Sequence, residues 1–174
     1  SGVGVAAIQL AARAGAKMVI ATASSDERLE KLKALGMTHG INYATHDVVE
    51  EVMRITEKHG ADVVVDSVGG AVLQGSILSL AYRGRVSTVG QAGRDRQKMD
   101  LSTLMGGNRT ISGVFLGAEI NTDRVQKNMA SLIDRVAKGE LKVVIDRTFP
   151  LSEAAAAHSY IESRQAVGRV LLIP

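Results

Sequence analysis

The 174-residue sequence contains no cysteine and no tryptophan. The missing thiols exclude a disulfide framework, a thiolate-ligated zinc site and a cysteine nucleophile within these residues. Aromatic residues make up only 3%, so a surface that stacks nucleic-acid bases is poorly supported despite a formal charge of +3. An anionic small ligand would use that charge equally well. No apolar run reaches the roughly 20 residues of a membrane span. The opening Ser1-Gly2-Val3-Gly4 has neither an initiator Met nor the basic segment of a secretory signal. The composition therefore predicts a soluble, cytoplasmic chain with neither a membrane nor a nucleic-acid partner. His39, His46, His59 and His158 show no ligand spacing, so no metal site is expected. Ser102 and Ser152 have no triad around them. Arg94, Arg96 and Lys98 read as a solvated basic loop, with contact to substrate or cofactor phosphate as the alternative.

What is present is a globular composition, 45% hydrophobic and 22% charged, of a length that suits one domain. Residues 4–14 are apolar on almost every side apart from Gln9 and Arg13, the mark of a buried helix. A continuous apolar run at 17–22 follows, as expected of a strand covered on both faces. Ser25 then caps a helix over 26–35 whose acids lead and whose lysines trail, in keeping with the helix dipole. The alternation repeats, with strands at 40–43, 61–67, 85–89, 110–116, 143–145 and 169–173. Between them lie helices at 47–58, 71–82, 101–105, 123–138 and a Ser152-capped 154–163. Strands alternating with crossover helices predict an α/β fold, a doubly wound parallel sheet of Rossmann type. Ligands in such sheets sit outside the carboxyl ends of the strands.

Gly2-Val3-Gly4, opening the first helix, is the back half of a glycine-rich phosphate loop. Glycines admit close backbone approach, and the helix amino end attracts a pyrophosphate. Two such glycines also occur in plain tight turns. The loop after the strand at 17–22 bears on cofactor choice. An NAD site carries Asp or Glu at this strand's end for the ribose hydroxyls, whereas an NADP site replaces it with small and basic groups. Here Ala23-Ser24-Ser25 stand at the strand end, and Arg28 follows one turn into the helix. An ordinary cap at Ser25 and a solvated Arg28 are the alternatives.

These stretches, with Leu35-Gly36, Ile41-Asn42-Tyr43, Asp66-Ser67-Val68-Gly69-Gly70, Glu162-Ser163-Arg164 and the ending Gly168-Arg169-Val170-Leu171-Leu172-Ile173-Pro174, form a consecutive pattern. It resembles the cofactor domain of medium-chain dehydrogenases and reductases along the whole chain, and within them the zinc-free NADPH:quinone oxidoreductase, zeta-crystallin-like branch. The resemblance implies that Gly2, Val3 and Gly4 hold the pyrophosphate, and that Ser24, Arg28, Tyr43 and Arg164 surround the adenosine phosphate. Arg28 stands where the branch usually has Lys, which keeps the charge but changes its shape. Ser67, Val68 and Gly69 would line the nicotinamide ribose, with Gly90, Phe115 and Leu116 at the ring and its amide. For Phe115 a plain core position is the alternative. The resemblance further implies that residues 1–174 are one dinucleotide-binding domain of a larger oxidoreductase, beginning at or after its first strand. The N-terminal catalytic domain that supplies most of the substrate pocket would lie outside. The expected function is NADPH-dependent hydride transfer to a quinone or α,β-unsaturated carbonyl, with little turnover by this chain alone and a homodimer through the strand at 110–116. An enoyl reductase domain of a polyketide or fatty-acid synthase, the cofactor domain of a zinc-dependent alcohol dehydrogenase, and a non-catalytic nucleotide-sensing or dimerisation module are the competing readings.

Overall fold

A computed structural model describes residues 2–93, 98–163 and 165–174. Helix α1 (Gly2–Arg13) buries Val5 and Ile8 against Val19, Leu29, Leu32, Met37 and Val167. These residues come from the segment holding β1 (Ile20–Ala23), α2 (Asp26–Lys33) and β2 (His39–Asn42), and from the approach to the last strand. Strands β1 and β2 pair in parallel, with Ala23 opposite Asn42. Helix α3 (Val48–Ile55) starts at Asp47, whose carboxylate accepts the Glu50 N–H at 2.9 Å and so satisfies a first-turn donor.

A second core joins Leu73 and Ile77 of α4 (Gly70–Leu78) to Leu80 and Val86 of β4 (Leu80–Thr88). Strand β4 lies between β3 (Ala61–Asp66) and β5 (Thr110–Gly113), parallel to both, with the short helix α5 (Ser102–Met105) on the way to β5. Helix α6 (Asp123–Ala137) leads to β6 (Ile145–Pro150), α7 (Ala154–Glu162) and β7 (Arg169–Ile173), where β6 and β7 again pair in parallel. The parallel α/β architecture is the expected one. Among the described residues the strands pair in three groups, β1-β2, β3-β4-β5 and β6-β7.

Several local expectations are corrected. Gly2 to Gly4 form the first turn of α1 rather than a loop before it. Ser25 stands at the start of α2 in extended backbone but makes no side-chain cap. Ser152 lies inside a 3₁₀ turn at Leu151–Glu153, and α7 starts beyond it. The strand expected at 143–145 lies at Ile145–Pro150, where local partners make its polar residues compatible with pairing. Tyr160 donates its hydroxyl to Asp146 Oδ2 at 2.6 Å, the Val167 N–H donates to Asp146 Oδ1 at 3.2 Å, and the Arg147 guanidinium lies 4.6 Å from the Tyr160 ring centroid. Polar groups satisfied in this way hide a strand from a reading based on hydrophobicity.

A buried amide ties α1 to the segment that precedes β6. Gln9 Nε2 donates to the Lys142 carbonyl at 3.0 Å and to the Val5 carbonyl at 3.2 Å, and the Lys142 N–H donates to Gln9 Oε1 at 2.8 Å. One turn on, Arg13 grips Glu140 through its carbonyl oxygen and its carboxylate.

Two stability predictions follow from this packing. Ile77 is fully buried and Val63 is 49% exposed. Ile77→Ala is expected to cost about 2–5 kcal/mol through lost transfer energy and an unfilled cavity, whereas Val63→Ala costs less than about 1 kcal/mol; urea unfolding measures both. The second concerns acid. The Tyr160 hydroxyl bond, aided by the Val167 N–H and by the Lys31 and Arg147 charges, holds the Asp146 carboxyl below its ordinary value against the opposing effect of burial. A depressed carboxyl contributes stability above the unfolded pKa of about 3.9 and loses it as pH falls through the lower folded value. Asp146→Asn should therefore flatten the decline in melting temperature below about pH 4; an unchanged acid limb would show that the bond contributes nothing to stability.

Candidate functional site

Parallel pairing sets the carboxyl ends of β1 and β2 side by side, and those of β3, β4 and β5 likewise. The first cluster there is built on β1 and β2. Register puts Ala23 beside Asn42, and the Tyr43 N–H donates to the Ala23 carbonyl at 3.0 Å. Ser24 and Tyr43 thus leave adjacent strand ends. Arg28, in the first turn of α2, reaches back so that Nη1 donates to Ser24 Oγ at 2.8 Å. The acids beside it already have partners. Asp26 accepts from Asn42 Nδ2 at 3.0 Å. Glu27 binds Lys31, whose ammonium keeps its carboxyl below the ordinary value. Arg28 therefore presents a cation and Ser24 a hydroxyl at a strand end that carries no acid, which suits an anionic group better than a bare diol. Tyr43 is half exposed beside them.

The second cluster joins the ends of β3 and β4. Asp66, only 3% exposed, accepts the N–H groups of Val68 and Gly69 at Oδ1, each at 2.8 Å, and the Ser76 hydroxyl at Oδ2, also 2.8 Å. One carboxylate thus folds the turn and ties it to α4. Gly69 has φ +75°, a conformation that side-chain-bearing residues rarely adopt. The turn then pairs with the loop after β4: the Val89 N–H donates to the Asp66 carbonyl at 2.7 Å, that of Ala92 to Ser67 at 3.2 Å and that of Gly93 to Val68 at 2.9 Å. A Cβ at Gly90 would stand 3.2 Å from the Ser67 carbonyl oxygen, so a side chain there would crowd the pairing. Ser67, Val68, Gly69 and Gly90 are in this way brought into one backbone-lined surface.

Phe115 and Leu116 follow β5, whose end is held to β4 by the Val114 N–H donating to the Thr88 carbonyl at 2.9 Å. Phe115 is 78% exposed, so a core role is ruled out, and its ring folds over Gly117. Gly2 and Val3, in the first turn of α1, line an apolar groove with Val65 of β3, which brings that helix end next to the second cluster. Arg164 lies outside the described residues, as do Arg94 and Arg96.

Three contributors were not picked out as site residues in the sequence. Asp66 organises the turn after β3, and its signal was an acid at the end of an apolar strand with two glycines close behind. Gln9 had one as well, a lone amide on a helix apolar nearly all round. Arg169, whose guanidinium packs against Gly2, had no local signal, since the two are separated by most of the chain.

The fit to a metal and to a dinucleotide differs. Among the described residues no group of three or more His, Cys, Asp or Glu side chains could hold a metal ion, and the whole sequence has no Cys. The helix amino end, the Ser24–Arg28 pair and the glycine-lined turn together suit an elongated anionic ligand with a flat end. Among the described residues no helix is long and apolar enough to cross a membrane.

Comparison with known proteins agrees. The chain is 37% identical over 159 residues to the 2-haloacrylate reductase of a Burkholderia species, an alignment covering 90% of this chain and 48% of that protein. It superposes on the quinone oxidoreductase of Pseudomonas syringae pv. Tomato DC3000 with a TM-score of 0.88 at 33% identity, covering 100% of this chain and 54% of that one. With the Escherichia coli quinone oxidoreductase solved in complex with NADPH the TM-score is 0.89 at 30% identity, covering 100% and 54%. The chain spans about half the length of these relatives. The zinc-binding dehydrogenase family matches residues 2–138, and the chain belongs to this family, whose matched region is the cofactor-binding domain of medium-chain dehydrogenases and reductases.

Proposed function

We propose that this chain binds NADPH in preference to NADH, and that it serves a larger oxidoreductase which reduces a quinone or an α,β-unsaturated carbonyl. The observation that carries the cofactor choice is the Arg28–Ser24 hydrogen bond at the acid-free end of β1, beside Tyr43. There the guanidinium and hydroxyl would receive the adenosine 2′-phosphate. Gly2, Val3 and Gly4 in the first turn of α1 would receive the pyrophosphate, where the helix dipole favours negative charge. The turn of Ser67, Val68 and Gly69, folded by Asp66, would hold the nicotinamide ribose, while Gly90, Phe115 and Leu116 would border the ring. Bound NADPH supplies the hydride. The protein's part is to fix the ring's orientation and to keep one face open to substrate.

The relatives that lend the substrate class are a 2-haloacrylate reductase and quinone oxidoreductases; both a haloacrylate and a quinone carry a carbon–carbon double bond conjugated to a carbonyl group, an acceptor suited to hydride. In this reading residues 1–174 form the dinucleotide domain, the substrate pocket and proton donor come from outside them, and turnover by this chain alone is slight. The location is cytoplasmic. The assembly is a homodimer, for which the exposed Val114 and Phe115 beside β5 offer an apolar surface.

Calorimetric titration tests the cofactor reading. Arg28→Ala should weaken NADPH binding by about tenfold or more, as expected for a charge-assisted contact, and leave NADH unchanged. Equal affinity for the two cofactors in the parent chain, or equal weakening by the substitution, would contradict the phosphate assignment. Rapid quinone reduction by the 174-residue chain would contradict the division of labour. Asp66→Ala strands two N–H donors and a hydroxyl in a part-buried turn, with an expected stability loss of about 2–4 kcal/mol. Ser76→Ala, which removes one of the three, should cost about 1 kcal/mol.

A further inference from the structure

The end of β1 carries no acid, but the start of the next helix does: Asp26 opens α2 two residues before Arg28. Its side chain is exposed, and both the Arg28 guanidinium and the amino end of α2 attract a carboxylate toward Ser24. One contact holds it elsewhere. Asn42, at the end of β2, donates from Nδ2 to Asp26 Oδ1 at 3.0 Å. We propose that Asn42 is a positioning residue for cofactor choice: by holding the Asp26 carboxylate against β2, it keeps a tethered anion out of the Ser24–Arg28 pair. The inference rests on the reading of that pair as the seat of the adenosine phosphate.

The Asn42 amide is built to hold that position. Its Oδ1 accepts the Ala44 N–H at 3.1 Å, so a flipped amide would set its oxygen against the carboxylate and its NH₂ against an N–H. The backbone beneath it is equally fixed. Asn42 pairs with Ala23, and its carbonyl accepts the N–H groups of Thr45 at 3.2 Å and His46 at 3.0 Å. Gly40 of the same strand lies so close to α2 that a Cβ there would stand 3.1 Å from the Leu29 side chain. Two residues on, Asn42 leaves the strand on that same face, toward the start of the helix. Glu27, the other acid of this turn, is bound by Lys31 at 2.9 Å. Released from Asn42, the Asp26 carboxylate would compete with a phosphate for the guanidinium at the high effective concentration of a tethered group. It would also restore the acid that an NAD site turns on the ribose hydroxyls. Loss of Asn42 therefore acts against NADPH and not against NADH, whereas a merely structural defect would weaken both alike.

The test is calorimetric titration of the chain with NADPH and NADH, read as the ratio of the NADH to the NADPH dissociation constant. Asn42→Ala leaves the net charge unchanged and should lower this ratio by about fivefold or more. Asp26→Asn alone should change it by less than about twofold, and in the Asn42→Ala background should return it to the value of the unsubstituted chain. The exchange of Asp26→Asn with Asn42→Asp reverses donor and acceptor, keeps the net charge and retains an acceptor for the Ala44 N–H. It should preserve the ratio, and it decides the matter if Asn42→Ala loosens the turn. The proposal is overturned if Asn42→Ala leaves the ratio unchanged, if Asp26→Asn raises it equally with and without Asn42, or if the exchanged pair loses the preference. An unsubstituted chain that binds both cofactors equally would overturn the cofactor reading and this inference with it. A preference for NADPH that Asn42→Ala leaves untouched would overturn this inference alone.

Discussion

Parallel strand pairing imposes the arrangement on which everything else here depends. A strand that must re-enter beside its neighbour in the same direction requires a crossover, and the crossover is a helix packed on the sheet. The strands of one sheet then end on the same side. In this chain that rule brings Ser24 and Tyr43 from β1 and β2 together, and sets the turn after β3 against the loop after β4. Phe115 and Leu116 follow from β5. Within each sheet, strand direction gathers residues that are far apart in sequence.

Within that frame, short polar contacts convert a shared edge into a shaped surface. Asp66 spends its carboxylate on two backbone N–H groups and one hydroxyl, so the turn is rigid and its glycine can hold a left-handed conformation. Around α2 the carboxylates of Asp26 and Glu27 are engaged by Asn42 and Lys31. That leaves the Arg28 charge directed at Ser24. Backbone surface for a flat group lies at one end and a cation for an anion at the other, an arrangement matched to an elongated dinucleotide.

The alternation of elements was legible because apolar runs such as Val63-Val64-Val65 and the nearly all-apolar α1 are strong local signals. The Ser24, Arg28 and Tyr43 cluster was legible for a related reason: each stands at or just past a strand end, and parallel pairing makes strand ends neighbours. What escaped reading depends on partners far away in sequence or on neutralised polarity. Gln9 pairs with Lys142 across 133 positions. Asp146 and Arg147 look like loop residues until Tyr160 and Val167 satisfy the carboxylate and the aromatic rings accept the guanidinium. Ser152 has the residue type of a cap, but the chain makes a 3₁₀ turn there before the helix begins.

A single dinucleotide bound as proposed would run from the Ser24–Arg28 pair, past the amino end of α1, to the turn of Val68 and Gly69. Mapping amide chemical shifts of the chain during titration with NADP⁺ tests it most directly. The predicted result is a set of saturable shifts at Gly2–Val5, Ser24–Arg28, Tyr43, Ser67–Gly69 and Gly90, all giving one dissociation constant. Shifts confined to other surfaces, or titrating with different constants at the two ends of the path, would contradict it.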